Sequence, residues 1–459
     1  MNINDLHRIY FIGIGGIGMS ALARYFHALG KKVAGYDRVR TGLTNDLENE
    51  GIVLTYTDEV VAIPVPFAEK TKETLVVYTP AIPSAHKQLN FFKKHNFNLI
   101  KRAELLGIIS QSLKTIAVAG THGKTTVSTL VAHLLCNSNL KCNAFLGGIA
   151  RNFDSNLVMD DSEYVVAEAD EFDRSFLHLT PWCGIITAMD ADHLDIYGTH
   201  DAVKGAFAEF ANRFSPGGFL LVKEGLELPA SAQVNKSTYS LDNPQSDYYA
   251  SDIKTPGKDS VFTLHTPENT FSGLVLGVPG RLNVENAVAA SALVLKLGVS
   301  EDELRHGLKS FAGIYRRFDY QYNGKVIYID DYAHHPAELD AFIGSVRQMY
   351  PDRLICGIFQ PHLYSRTRDF APEFARSLSV LNELVLLPIY PARERPIGGV
   401  DSGLIMKDVT LKDKHILPKE HVPDFLENNA NDIILTMGAG DIDTLRQPIK
   451  NMLKARYGE

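Results

Sequence analysis

Short apolar runs alternate with helix-length amphipathic stretches along nearly the whole chain, and that rhythm admits few folds. The runs include RIYFIGIGG, KKVAGYD, TLVVYTP, TIAVAG, YVVAEAD, CGIITAMD, VIYIDD, RLICGIFQP and DIILTMGAG. Each ends in glycine, proline or a polar residue. Continuous apolar segments of this length suit strands covered on both faces, and the stretches between them suit crossover helices. Together they predict an α/β protein built on parallel sheets.

Three sheet systems are expected. The first starts at Arg8 and ends near Arg102–Leu106, the second starts at the strand before Gly120 and runs to about Phe311, and the third starts near Val326. A length of 459 residues is consistent with three domains, drawn here as 1–106, 107–312 and 313–459. The polar segment from Pro229 to Thr270 is expected to form an antiparallel or irregular insertion late in the second domain.

Composition narrows the function. A formal charge of −8 without basic blocks disfavours nucleic acid and membrane surfaces, which select for cationic patches. The 4 cysteines form no CxxC pair, and the chain opens directly into a strand-like run without a signal-peptide pattern. No stretch is long and apolar enough for a membrane span. The expectation is a cytoplasmic protein, with neither a nucleic-acid nor a membrane partner.

The segment LKTIAVAG runs into THGKTT and then a helical pattern, giving strand, glycine turn, Lys-Thr, helix. Backbone N–H groups around Gly120, Thr121, His122 and Gly123 suit phosphate, with the positive end of a helix behind them. Lys124 can reach the β- and γ-phosphates, and the hydroxyls of Thr125 and Thr126 follow, Thr125 as a Mg²⁺ ligand. Val118 stands where the common GxxxxGK[ST] pattern begins with glycine, so the loop is a shortened variant. A second glycine motif, Gly13, Gly15, Gly16 and Gly18, lies between a strand and a helix, with Asp37 ending the next strand. That is a dinucleotide fingerprint, and a nucleotide-sugar diphosphate fits it as well as NAD does.

Acids and histidines gather at strand ends. Glu168, Asp170, Glu171 and Asp173 follow one run, and Asp190, Asp192, His193 and Asp195 another. Thr125, Glu168 and His193 could converge on one divalent ion, although a His ligand is unusual for Mg²⁺ and suggests a second, softer site. Downstream, DDYAHHP, FQPHLYSRTRD and MGAGD supply His334, His335, His362, Arg366 and Arg368, donors suited to a carboxylate or phosphoryl group.

The ordered set GIGGIGMS, GTHGKTT, EADEFD, DADHLD, GRLNVENAVAA, YRRFD, DDYAHHPAE, FQPHLYSRTRD and GAGD resembles the Mur ligases of peptidoglycan synthesis over nearly the whole chain. The resemblance implies a Rossmann-like N-terminal domain for a UDP-sugar, a P-loop ATPase-like central domain and a Rossmann-like C-terminal domain for an amino acid. It implies ATP, Mg²⁺ (or Mn²⁺), UDP-N-acetylmuramate and L-alanine, joined through an acyl phosphate, by a monomer or weak homodimer. A ligase that recycles a whole tripeptide onto the same sugar is the alternative, with an NAD(P)-dependent oxidoreductase further off. By the same resemblance Lys124, Glu168, His193, His334 and Arg366 are catalytic, with Thr125, Glu168 and His193 on the metal. Asn286, Arg317 and Asp331 join the Gly120–Thr126 loop on ATP. Tyr332, His334, His362 and Arg366 meet the amino acid, and Gly15, Gly16, Gly18 and Asp37 the UDP-sugar. Three positions depart from the family pattern: Leu282 replaces a His in the asparagine motif, Leu363 an Arg after FQPH, and Ala208 stands where sister ligases carry a carbamylated lysine, which Lys204 does not match.

Overall fold

In the computed structural model, residues 3–190, 194–228, 234–392, 394–429 and 431–458 are described. The backbone divides into two compact units, Met1–Pro279 with Asn283–Ala312, and Gly280–Leu282 with Gly313–Glu459.

The first unit holds three sheets. β1 (Arg8–Ile12), β2 (Lys32–Tyr36), β3 (Val53–Thr55), β4 (Thr74–Tyr78) and β5 (Asn98–Lys101) form a parallel sheet in the order β3-β2-β1-β4-β5. Seven further strands make the second: β6 (Lys114–Ala119), β7 (Asn143–Ala150), β8 (Ser155–Val158), β9 (Tyr164–Ala169), β10 (Cys183–Ile186), β11 (Phe219–Lys223) and β12 (Asn235–Tyr239). Their order is β12-β11-β10-β6-β9-β7-β8, parallel except where β8 closes the edge against β7. The third sheet is antiparallel: β13 (Tyr249–Lys254), β14 (Ser260–His265) and β15 (Thr270–Leu276). Of the segment expected to form an insertion, β13 and β14 are antiparallel as anticipated, but β12 extends the parallel sheet instead. Its sequence, NKSTY, is too polar to read as a sheet strand because it lies at an edge with water on one side.

In the second unit β16 (Asp319–Asn323), β17 (Ile327–Asp331), β18 (Ile355–Phe359), β19 (Glu383–Leu386), β20 (Asp413–Ile416) and β21 (Ile433–Met437) run in the order β16-β17-β21-β18-β19-β20. This sheet starts before Val326, a correction to the expectation. β16 is a polar antiparallel edge (DYQYN) paired to β17 with a register shift between Tyr320 and Tyr322, so neither an apolar run nor a clean alternation marks it. The central strands β6, β17, β18 and β21 are almost wholly buried, which is why they read as unbroken apolar runs. Among the described residues no helix is long and apolar enough to cross a membrane.

Register places the motifs. β6 lies between β9 and β10, with Ala119 level with both Ala169 and Ile186. The chain beyond these three residues therefore leaves the sheet at one height, bringing Gly120, Asp170 and Thr187 to one rim. Strand order reverses at β6, the place where open α/β sheets leave a crevice. In the second unit Asp331 and Phe359 are both level with Met437, which gathers Tyr332, Gln360 and Gly438 in the same way.

Candidate active site

The phosphate loop is held from beneath by Thr187. Its hydroxyl donates to the carbonyl of Ala119 at 3.2 Å and to that of His122. Thr121 N–H donates to the Ala188 carbonyl at 3.1 Å, and Asp190 N–H to the Thr121 hydroxyl at 3.1 Å. Asp190 also lies 3.4 Å from His122 Nε2. Gly120 has φ +141°, and a Cβ there would come within 2.1 Å of Thr187 Oγ1, so only glycine turns the chain at this point. Gly123 (φ +82°) caps the helix Lys124–Cys136, whose first turn carries Lys124, the buried Thr125 and the partly buried Thr126. Asn286 packs against the loop, its Oδ1 3.2 Å from where a Gly123 Cβ would be. Thr187 was not anticipated; a single threonine after an apolar run carries no signal of its own.

Lys124 is the charged centre. Its ammonium donates to Glu171 Oε1 at 2.9 Å, to Glu171 Oε2 at 2.7 Å and to the Gly120 carbonyl at 2.7 Å. Burial works against this charge, but the carboxylates of Glu171, Asp170 and Glu168 outweigh it and hold the ammonium above its ordinary value. Glu168, at the end of β9, lies against Gly147 so closely that a Cβ there would meet Oε2 at 2.1 Å. Glu171 was noted among the strand-end acids but not singled out. His193 lies outside the described residues, as does Asp192, so the expected metal set is seen only through Thr125 and Glu168.

Next to this rim lies the first glycine motif. Gly16 caps the helix Ile17–Ala28. Gly15 N–H donates to Asp37 Oδ2 at 2.8 Å, and a Cβ on Gly15 would meet the same oxygen at 2.9 Å. Asp37 thus braces the loop directly. Gly18 leaves room for Arg102, whose guanidinium would be 2.4 Å from a Cβ there and bonds Asp170 at 3.1 Å. A cavity of about 80 Å³ lies between Gly18 and Arg102 on one side and Gly147, Glu168 and Asp170 on the other. Gly18 of the first glycine motif and the acids near Lys124 are therefore neighbours across a single cleft.

The second unit builds a different site. Asp331 accepts from the N–H groups of Phe318 at 2.7 Å and Ala333 at 2.8 Å. Burial pushes its carboxyl up to about 6 from the ordinary 3.8, against the pull of Arg317. The guanidinium of Arg317 sits 5.2 Å from the Tyr332 ring and 3.7 Å from Glu338. His334 contacts the Tyr332 ring edge-on at 5.2 Å, and its backbone N–H donates to Glu338 at 2.9 Å. His362 stacks on Tyr390 at 5.8 Å and lies 6.0 Å from the His334 ring. Arg366 is buried on the helix Tyr364–Asp369. Leu363, the departure after FQPH, is buried with φ +71°, a conformation costly for a branched side chain. Leu282, the other departure, is exposed. Glu338 was missed; its signal was a glutamate three residues after the cap position, behind proline.

A parallel-sheet phosphate loop with a buried lysine among carboxylates is the equipment of a nucleotide-using enzyme, and the comparisons place it within one family. Residues 8–113 match the model of the Mur ligase family catalytic domain, 118–294 the Mur ligase middle domain, and 316–440 the Mur ligase glutamate ligase domain. The chain belongs to the Mur ligase family. It is 50% identical to the UDP-N-acetylmuramate–L-alanine ligase of Porphyromonas gingivalis, across 98% of this chain and 99% of the relative. The ligase of the same name from Parabacteroides distasonis is 48% identical, with 99% and 98% covered. The crystal structure of UDP-N-acetylmuramate-alanine ligase MurC from Thermotoga maritima superposes with a TM-score of 0.83 at 25% identity, covering 98% and 99%.

Proposed function

We propose that this enzyme joins L-alanine to the lactyl carboxylate of UDP-N-acetylmuramate at the expense of ATP. The observation that carries the reading is 50% identity over 98% of the chain to a ligase of that name, combined with a phosphate loop whose partly buried lysine is held charged by nearby carboxylates. A carboxylate does not react with an amine until one of its oxygens becomes a good leaving group. Transfer of the γ-phosphoryl group to that oxygen gives an acyl phosphate and ADP. The alanine amine then attacks the acyl carbon, and phosphate leaves.

The loop from Gly120 to Thr126 cradles the triphosphate, with Lys124 balancing charge that develops on the transferred group. Asn286 steadies that loop in addition to any adenine contact. Arg317 and Asp331 serve the ATP side. The turn of Gly15, Gly16 and Gly18 receives the UDP diphosphate at the start of its helix, while Asp37 fixes that turn by accepting the Gly15 N–H. Tyr332, His334, His362 and Arg366 receive the amino acid, Arg366 as a fork for its carboxylate. The hydroxyl of Thr125 and the carboxylate of Glu168 are hard oxygen donors that fit Mg²⁺. They would hold it with His193, and it would neutralise phosphate charge.

The test is phosphate release with ATP, Mg²⁺, UDP-N-acetylmuramate and L-alanine, omitting each in turn. All four are expected to be required. Turnover with an alanyl-glutamyl-diaminopimelate tripeptide exceeding that with L-alanine would replace this reading with the recycling one.

A further inference from the structure

Cys136 is the last residue of the helix that begins at Lys124, and Cys142 immediately precedes β7. The residues between them, NSNLK, turn the chain back, and the two sulfurs meet at 3.7 Å. Contacts that involve neither thiol hold this return in place. Lys141 sits at φ +55°, in the left-handed region, and its ammonium donates to the Cys136 carbonyl at 2.9 Å. The Ser162 hydroxyl, just before β9, lies 2.9 Å from the Leu140 carbonyl and 3.0 Å from that of Lys141. The N–H groups of Asn137 and Ser138 donate to the carbonyls of His133 and Leu135 at 3.1 Å and 3.0 Å. The fold itself therefore sets the two sulfurs side by side. We propose that Cys136 and Cys142 form a reversible oxidation site, at which a peroxide joins the two sulfurs as a disulfide. This does not depend on the ligase reading.

The two cysteines are unequal, and the difference assigns their roles. Cys136 is partly exposed and Cys142 is buried. The Cys142 thiol proton has two acceptors in reach, the Ala132 carbonyl at 3.6 Å and the Cys136 sulfur at 3.7 Å. The contact from Cys142, helped by the Lys141 charge, holds the Cys136 thiol below its ordinary value in spite of burial. The same contact and burial push Cys142 up. A thiolate attacks peroxide far better than a thiol does, so Cys136 reacts first. Its sulfur bonds to one peroxide oxygen and the O–O bond breaks. The departing hydroxide, with the proton that Cys136 gave up, becomes water. Cys142 then attacks the sulfenic acid: the S–S bond forms, the S–O bond breaks, and the hydroxyl leaves as a second water with the Cys142 proton. Two thiols are oxidised and one peroxide is reduced. The bond ties the tail of the helix that carries Lys124 and Thr125 to the start of β7. Cys183 on β10 and Cys356 on β18 are buried, and burial holds both thiols above their ordinary value, so they serve as internal controls.

The experiment exposes the reduced full-length protein to hydrogen peroxide in native buffer, alkylates the remaining thiols in denaturant and maps them by peptide mass. Wild type is expected to keep only Cys183 and Cys356 open to alkylation, with one peptide pair joined through Cys136 and Cys142. Dithiothreitol is expected to reopen all four cysteines. Cys142→Ala removes the resolving sulfur, so Cys136 is expected to stop at the sulfenic acid and be tagged by dimedone. Cys136→Ser is expected to slow the loss of the Cys142 thiol by about tenfold or more. This second variant, at the partly exposed position, stands in if the first fails to fold. The proposal is overturned by wild type that keeps all four thiols at a peroxide dose that fully oxidises free glutathione. It is equally overturned if wild type loses Cys183 or Cys356 as fast as Cys136, or if Cys136→Ser loses Cys142 at the wild-type rate.

Discussion

The two units hold a buried carboxylate with different partners. In the first, the buried Glu171 faces Lys124: the carboxylates nearby hold the ammonium above its ordinary value, while burial pushes the Glu171 carboxyl up against the pull of the lysine. In the second, the buried Asp331 is held by two backbone N–H groups, and burial pushes it up to about 6. A side-chain cation can be exchanged for another. Backbone amides hold a carboxylate in place yet let it take up a proton near neutrality. The first arrangement suits a site that trades anions. The second suits one whose geometry must persist while its charge is tuned.

Breaking the ion pair from one side gives the largest expected effect. Lys124→Ala is expected to lower turnover by about 10³-fold or more. It also takes a cation from the buried Glu171, a loss of up to about 3–5 kcal/mol of stability. Adding Glu171→Gln should restore the thermal midpoint but not the turnover. If the single variant melts like wild type, Glu171 is not held by Lys124 in solution and the contrast between the units collapses. Gly120→Ala comes next: its φ of +141° and the 2.1 Å approach to Thr187 Oγ1 predict a cost of about 1–3 kcal/mol and weaker nucleotide binding. A variant with wild-type melting and wild-type ADP affinity would show that the loop has another way to turn.

The sequence exposes these two regions unequally. The phosphate loop was legible because glycine positions, a lysine and a helix pattern fall in one contiguous stretch. Its support was not: Thr187 acts through register with Ala119, and Glu171 through a side chain folding back across β9 and β6. Contacts that span strands leave no local mark. The same holds for Asp37, whose part as a brace for Gly15 depends on β1 and β2 being level at Ile12 and Tyr36. Core strands were readable because burial on both faces leaves only apolar residues, whereas the edge strands β12, β16 and β20 were not, since one wet face breaks the pattern.

Titration sharpens the comparison from the other side. Asp331 has a raised value in the folded chain, so its contribution favours folding fully below the ordinary value of 3.8. That contribution is lost as pH rises through about 6. The thermal midpoint of wild type relative to Asp331→Asn is therefore expected to fall between pH 4 and 6 and to level off above. A difference that stays flat across that window would mean Asp331 is not shifted. No such limb is expected from Lys124, whose value is raised and far above this range.

The smallest effect belongs to the ion pair between Asp170 and Arg102, whose side chains are 34% and 22% exposed. Water screens such a pair, and Asp170→Asn is expected to cost about 1 kcal/mol or less in stability. Its consequence lies in binding instead. Arg102 borders the cavity beside Gly18, and releasing it from Asp170 frees a guanidinium for an anion there. Asp170→Asn is therefore expected to tighten UDP-N-acetylmuramate by a few-fold, roughly the worth of one partly screened pair, with the melting midpoint nearly unmoved. Weaker sugar-nucleotide binding at an unchanged midpoint would show that Asp170 orients Arg102 and does not compete for it.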